Sequence, residues 1–279
     1  IIFAFKGCER NMHENITKNQ HYIPQFYQKS WDAGEKHVYR YNKGENRISK
    51  VSIKKNCSGP YLYEADQTSP DNIFEDSYAK LEEKFTSPYR NLIENIMGQS
   101  IVNLSFQDKF LIYRLYVNLL TRHPKYIYEN GLYKRVAMGW TTKDSEKISP
   151  IVAERLVLNG QAYGENFDIH ADDINICLHV SDNEDILFSD AVCTLNGCGF
   201  LALSPRIYAV ISPNDWYGKD RVIYRNCGSW FLYFLYCQND NVQDVYGKNE
   251  NYLECLRNMY QKYKKGCISS IIQADSVLQ

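Results

Sequence analysis

No apolar run in this 279-residue chain approaches the ~20 residues that a transmembrane helix needs. The longest, Trp230-Phe231-Leu232-Tyr233-Phe234-Leu235-Tyr236-Cys237, reads as a buried element. Charge of either sign is also lacking in excess. Thirty-two basic residues face 33 acidic ones, a net charge of -1, so no global field points to nucleic acid or to a membrane surface. There is no C-x-x-C pair, which argues against a zinc knuckle. A disulfide scaffold is not expected in a chain this long, so the nine cysteines read as reduced thiols and the expected setting is the cytoplasm. G-x-S-x-G and H-E-x-x-H are missing, as is a Gly-rich phosphate loop. Those absences give no support to a hydrolase of the elbow type, a zincin or a P-loop nucleotide site. No internal repeat or low-complexity tract occurs.

What is present is enough apolar material, 44%, to bury a sizeable core. The expected organisation is one globular domain over residues 18–265. Residues 1–17 form an N-terminal extension, with Met12 resembling a translation start, and residues 266–279 form a tail. Tyrosine is abundant, at 23 residues. Interleaved aromatics and lysines can stack single-stranded nucleic acid. Tyr, Asn, Lys and Ile all have A/T-rich codons, which accounts for the same bias without any function.

Local signals place the elements. Pro24 suits the first turn of a short helix running to Trp31, with Phe26, Tyr27 and Trp31 expected in the core. Alternation over residues 36–41 and 47–54, with Asn42–Asn46 between them, predicts a hairpin. Ser69-Pro70 starts a helix toward Pro88, with Phe74, Tyr78, Leu81 and Phe85 on its core face and a second segment from Tyr89 to Met97. Ser105 caps a long central helix, which Pro124 stops or kinks at His123. A further helix is expected from Ser149 to Gln161. Strands follow around 174–180, 186–188, 200–203 and 206–211, then helices over 226–237 and 249–263. The pattern predicts an α+β fold: a helical body with a small, mainly antiparallel β-sheet.

Several polar residues stand out by position. His21, just ahead of the Pro24 helix, can bind a metal, act as a base, or simply fix the chain's entry through a hydrogen bond. Glu75 and Glu82 are two turns apart on one helical face, roughly 10 Å along the axis. That is too far for one ion without convergence of their long side chains, and a solvated acidic face is the simpler alternative. Arg114 and Arg122 share a face of the apolar helix, where a buried arginine needs an anionic partner. Arg122, at the helix end, can clamp phosphate or carboxylate, or only oppose the helix dipole. Ser189-Asp190 follows an apolar strand, where either a site or a turn is expected.

Taken in order, these landmarks resemble the uncharacterised bacterial domain-of-unknown-function family 4238 over most of residues 18–240. They are Asn19-Gln20-His21-Tyr22-Ile23-Pro24-Gln25-Phe26-Tyr27, Val38-Tyr39-Arg40-Tyr41, Glu75, Glu82, Arg122-His123-Pro124, Phe188-Ser189-Asp190 and Leu203-Ser204-Pro205. The family usually carries leucine where Gln28 stands, and Asn/Thr-Pro where this chain has Ala191-Val192. The resemblance implies no reaction. It does imply that His21, Glu75, Glu82, Arg122 and Asp190 belong together as one site. From that set follows the expectation of a metal-dependent phosphodiesterase or nuclease, of the kind used as bacterial toxins or phage-defence effectors. His21, Glu75 and Asp190 would hold Mg²⁺ or Mn²⁺ and Arg122 would clamp phosphate, with nucleic acid or a nucleotide as partner and no membrane. The alternative is a non-enzymatic ligand- or partner-binding module. There the same residues form a structural ion-pair network, with Arg122 and Arg114 neutralised by Glu75 and Asp190.

Overall fold

The computed structural model describes residues 16–63, 72–98, 103–124, 175–195, 198–212, 223–225 and 228–268. The Ser69-Pro70 start, the helix expected from Ser149 to Gln161, Met12 and most of both terminal segments lie outside these residues, as does the side chain of Phe74. The protein is a mixed α+β fold. The expected small sheet is the part to correct, because the sheets are extensive. Among the described residues they form a five-stranded, a four-stranded and a two-stranded sheet.

The chain opens with β1 (Asn19–His21), followed by α1 (Gln25–Gln28) and a 3₁₀ turn, Lys29–Trp31. Gly34, at φ 99°, makes the turn into β2, a conformation that costs glycine little. The hairpin β2 (His37–Asn42) and β3 (Arg47–Ser52) forms as its alternation predicts, and β4 (Ser58–Pro60) returns to pair with β1, His21 opposite Ser58. The four-stranded antiparallel sheet is completed by β6 (Phe188–Ser189) and β11 (Asp244–Gly247), in the order β3-β2-β11-β6. The five-stranded sheet contains β5 (Asn175–Val180), β7 (Cys193–Leu195), β8 (Cys198–Ser204), β9 (Ile207–Ser212) and β10 (Ile223–Arg225). Its order is β10-β5-β9-β8-β7, with only β10 and β5 parallel and with β7 at one edge.

Helix α2 (Ile73–Met97) runs unbroken through Pro88, where two segments were expected. The reason lies in which face the proline occupies. Pro88 and Lys84, whose carbonyl loses its donor, are both exposed, so water can replace the missing bond. On the opposite face Leu81, Phe85, Tyr89, Leu92 and Ile96 are buried on both sides of the proline. Helix α3 (Phe106–Arg122) begins with the capping box formed by Ser105 and Asp108. It ends at His123, which is extended (ψ 130°) as the residue before a proline must be. Helices α4 (Trp230–Gln238) and α5 (Glu250–Lys264) close the chain, α5 lying on the four-stranded sheet.

Strands β8 and β9 are buried at every position, because helices cover both faces of the five-stranded sheet. On one face Tyr116 of α3 lies over Gly199, and a Cβ there would stand 2.5 Å from its ring. On the other, Phe231 of α4 packs on Phe200 at 5.2 Å. The aromatic box joins the two large sheets. Tyr27 donates its hydroxyl to the Ala202 carbonyl of β8, while its ring meets Phe188 of β6 at 5.6 Å. Trp31, fully buried, meets Phe188 at a tilt with ring centres 4.7 Å apart and donates its indole N–H to Ile186 O at 2.7 Å. Phe26 is partly buried against Tyr89 at 5.7 Å.

Candidate functional site

Helix α3 is long enough, and stops sharply enough, to deliver Arg122 into the core at its last turn. The residue is 0% exposed. Its Nη1 meets Glu82 Oε1 of α2 at 2.7 Å, its Nη2 donates to the carbonyl of His21, and its Nε donates to the Tyr63 hydroxyl at 3.3 Å. The guanidinium lies 4.0 Å from the ring centre of Tyr78. Tyr63 in turn donates its hydroxyl to the same His21 carbonyl at 3.0 Å. Burial opposes the charge, while Tyr63, Glu82 and Tyr78 restore it and hold the guanidinium protonated.

Of the five residues expected to form one site, His21, Glu82 and Arg122 therefore meet, but His21 does so through its backbone. Its imidazole points the other way, with Nε2 3.1 Å from the carbonyl of Lys54. A carbonyl only accepts, so Nε2 carries the proton. Burial lowers the imidazole pKa, which keeps the ring neutral at pH 7. Glu75 sits half-buried in the first turn of α2, two turns before Glu82. Arg114 lies over the ring of Phe85 at 5.4 Å.

Asp190 is elsewhere. It follows β6 and is held by the β6–β11 pairing, its N–H donating to Asp244 O at 3.0 Å. Its carboxylate accepts from Gln243 N–H at 3.1 and 3.3 Å. Burial, reinforced by the neighbouring Asp244, raises its pKa to about 7. Lys43 lies near it, with its ammonium donating to the carbonyls of Tyr236 (2.9 Å) and Asn239 (3.0 Å) at the end of α4. Tyr22 stands between the two regions. Its ring meets His123 edge-on at 5.6 Å and its hydroxyl hydrogen-bonds with the Cys57 thiol.

Beside Asp190, at the β7 edge of the five-stranded sheet, lies a cavity of about 670 Å³. Strand β7 forms its floor and the ends of α3 and α4 form its walls, through Tyr116 and His123 on one side and Gln238, Asn239 and Asp240 on the other. A narrow second cavity, lined by Asp190 and Tyr27, shares Ala191 and Val192 with it. Of the expected site residues only Asp190 lines either cavity; His21, Glu75, Glu82 and Arg122 are not among the residues described around them. The sequence reading passed over the cavity residues. His123 was within its reach, because the Arg122-His123-Pro124 landmark contains it and the proline forces the chain to turn outward there.

Among the described residues no group of three His, Cys, Asp or Glu side chains could hold a metal ion. The His21 nitrogen is turned to Lys54 O, and the Asp190 carboxylate is bonded to a backbone N–H in a different sheet. Cys193, which lines the cavity, is an unactivated thiol: burial raises its pKa to about 12. No described helix is long and apolar enough to cross a membrane.

A family model described as "Protein of unknown function (DUF4238)" matches residues 19–194, the span that holds the aromatic box, the Arg122 network and Asp190. No curated protein and no solved structure matches the chain.

Proposed function

The chain belongs to the DUF4238 family of proteins of unknown function, and from that premise we propose that it is a non-enzymatic ligand-binding module. Its Arg122 network is structural, and its binding site is the cavity at the β7 edge. The observation that carries this reading is the enclosure of Arg122. An arginine that clamps a phosphate must present N–H groups to solvent or to a cleft. Here the side chain is 1% exposed, and Glu82, Tyr63 and the His21 carbonyl engage it inside the protein. Function is then assigned to a place where a concave space of ligand size meets several polar side chains.

The test pairs stability with activity. Glu82→Gln and Arg122→Met are unfolded in urea beside the parent protein. All three are incubated with plasmid DNA and total RNA, with and without Mg²⁺ or Mn²⁺. The expected result is a clear loss of stability in both variants and no cleavage by any of the three. Metal-dependent cleavage by the parent, lost in a variant that stays folded, would overturn the proposal in favour of a phosphodiesterase.

A further inference from the structure

Taking the cavity at the β7 edge as the binding site, we infer that its ligand is a small molecule carrying a positively charged amine. Three features of the wall converge on that charge. Among the described lining residues there is one carboxylate, Asp240, and neither lysine nor arginine. Beside Asp240 stand the amides of Gln238, Asn239 and Asn241, whose oxygens accept from an ammonium's three donors. Two helices also end here. Helix α3 stops at Arg122, one residue before His123, and α4 stops at Gln238, and both His123 and Gln238 line the space. A helix presents the negative end of its dipole at its C-terminus, which favours a cation nearby.

The charges behind the wall are mixed. The α3 terminus has its own cation in Arg122, but that guanidinium is turned inward and neutralised by Glu82. At the α4 terminus the Lys43 ammonium already meets the carbonyls of Tyr236 and Asn239 and lies within electrostatic reach of Asp240, so that end is partly neutralised. Asp190, in the adjoining narrow cavity, adds negative charge above pH 7.

The rest of the space suits an apolar body. Leu120, Val192, Leu195 and Leu235 line it, together with Tyr116. At about 670 Å³ it lies within the range of small-molecule sites. The assignment is an amine head against Asp240 and the helix ends, with a hydrocarbon body along the β7 floor.

The experiment uses three six-carbon probes of matched length: 1,6-diaminohexane, 1,6-hexanediol and adipate. Binding to the full chain is followed by chemical-shift perturbation and calorimetry. Two further proteins are run beside it: Asp240→Asn, and Thr194→Trp, which projects an indole from an exposed floor position into the space. Should Thr194→Trp fail to fold, Asn241→Trp at the exposed rim takes its place. The diamine is expected to bind at least tenfold more tightly than the diol or the diacid. Asp240→Asn should weaken it roughly threefold to fivefold, as an exposed charge pair would, and the tryptophan variant should abolish it. If the diol or diacid binds as well as the diamine and the tryptophan blocks it, the cavity is the site and the cationic assignment is wrong. If no probe binds, or if binding is indifferent to the tryptophan, the cavity itself fails as the site and the inference falls with it.

Discussion

Arg122 and Glu82, forty residues apart in sequence, meet at 2.7 Å where the end of α3 lies against the middle of α2. The two partners are not equally buried. The arginine side chain is 1% exposed and the glutamate 26%. Removing the glutamate strands a charge in the interior, whereas removing the arginine leaves a carboxylate that water can reach. Glu82→Ala is therefore expected to cost about 3–5 kcal/mol, as for a broken buried pair. Arg122→Met should cost less, about 1–3 kcal/mol, from lost hydrogen bonds and the lost Tyr78 contact. Urea unfolding of both variants checks the order. A larger loss for Arg122→Met would mean that the pair does not owe its stability to neutralising the arginine.

Gly199 places α3 on the five-stranded sheet. A Cβ there would stand 2.5 Å from a Tyr116 ring carbon, closer than carbon atoms approach. Gly199→Ala must push away the Tyr116 ring, which lines the cavity. The expected cost is about 1–3 kcal/mol, typical of overpacking. A melting temperature equal to the parent's would show that α3 is free to shift from the sheet.

The parts of this fold that were legible in the sequence are those fixed by neighbours along the chain. Ser105 and Asp108 cap α3, and Pro124 ends it, through contacts three residues or fewer apart. The β2–β3 hairpin follows from its alternation and the Asn42–Asn46 turn. Pro88 misled, because its effect depends on facing solvent, which only the tertiary structure decides. Strand β11 is four residues long and gains its identity by pairing between β2 and β6, just over two hundred residues from the former. The same division runs through the site. An arginine on an apolar helix demands an anion, so a partner for Arg122 could be foreseen. That Asp190 would leave this group is decided by the β6–β11 pairing. The cavity draws on residues 116–123, 191–195 and 235–241, and no local pattern joins those segments.

Asp190 predicts an unusual dependence on pH. Its folded carboxyl, with a pKa raised from 3.8 to about 7, holds a proton more tightly than the unfolded one. Folding therefore takes up a proton within that window, and the stability this group contributes is lost as pH rises from about 4 to about 7. His21 and His179 act oppositely. Their folded pKa values are lowered, that of His179 to about 4, so they weaken the fold as pH falls below their ordinary 6.5. Asp190→Asn isolates the carboxyl, since its amide oxygen can still accept from Gln243 N–H. The variant should gain stability relative to the parent between pH 5 and pH 8, because only the parent goes on losing it over that interval. A stability difference that stays constant between those pH values would show that Asp190 is ionised throughout.

Lys43 makes the end of α4 depend on a residue from the far side of the four-stranded sheet. Its ammonium takes up the carbonyls of Tyr236 and Asn239 at 2.9 and 3.0 Å and lies 4.8 Å from the Tyr260 ring centre of α5. Burial lowers its pKa, so the interaction is held against a desolvation cost. Lys43→Met keeps the hydrocarbon stem over Tyr260 and removes only the donors. The two carbonyls then lose their partner, at a cost of about 1–3 kcal/mol. The effect should be local as well as global: amide exchange at Cys237, Gln238 and Asn239 should quicken far more than at the centre of α5. Because Gln238, Asn239 and Asp240 form one wall of the cavity, the same variant should loosen the site without touching its lining. Uniform exchange across α4 and α5 would show that Lys43 supports the fold generally and that packing, not its ammonium, holds the end of α4.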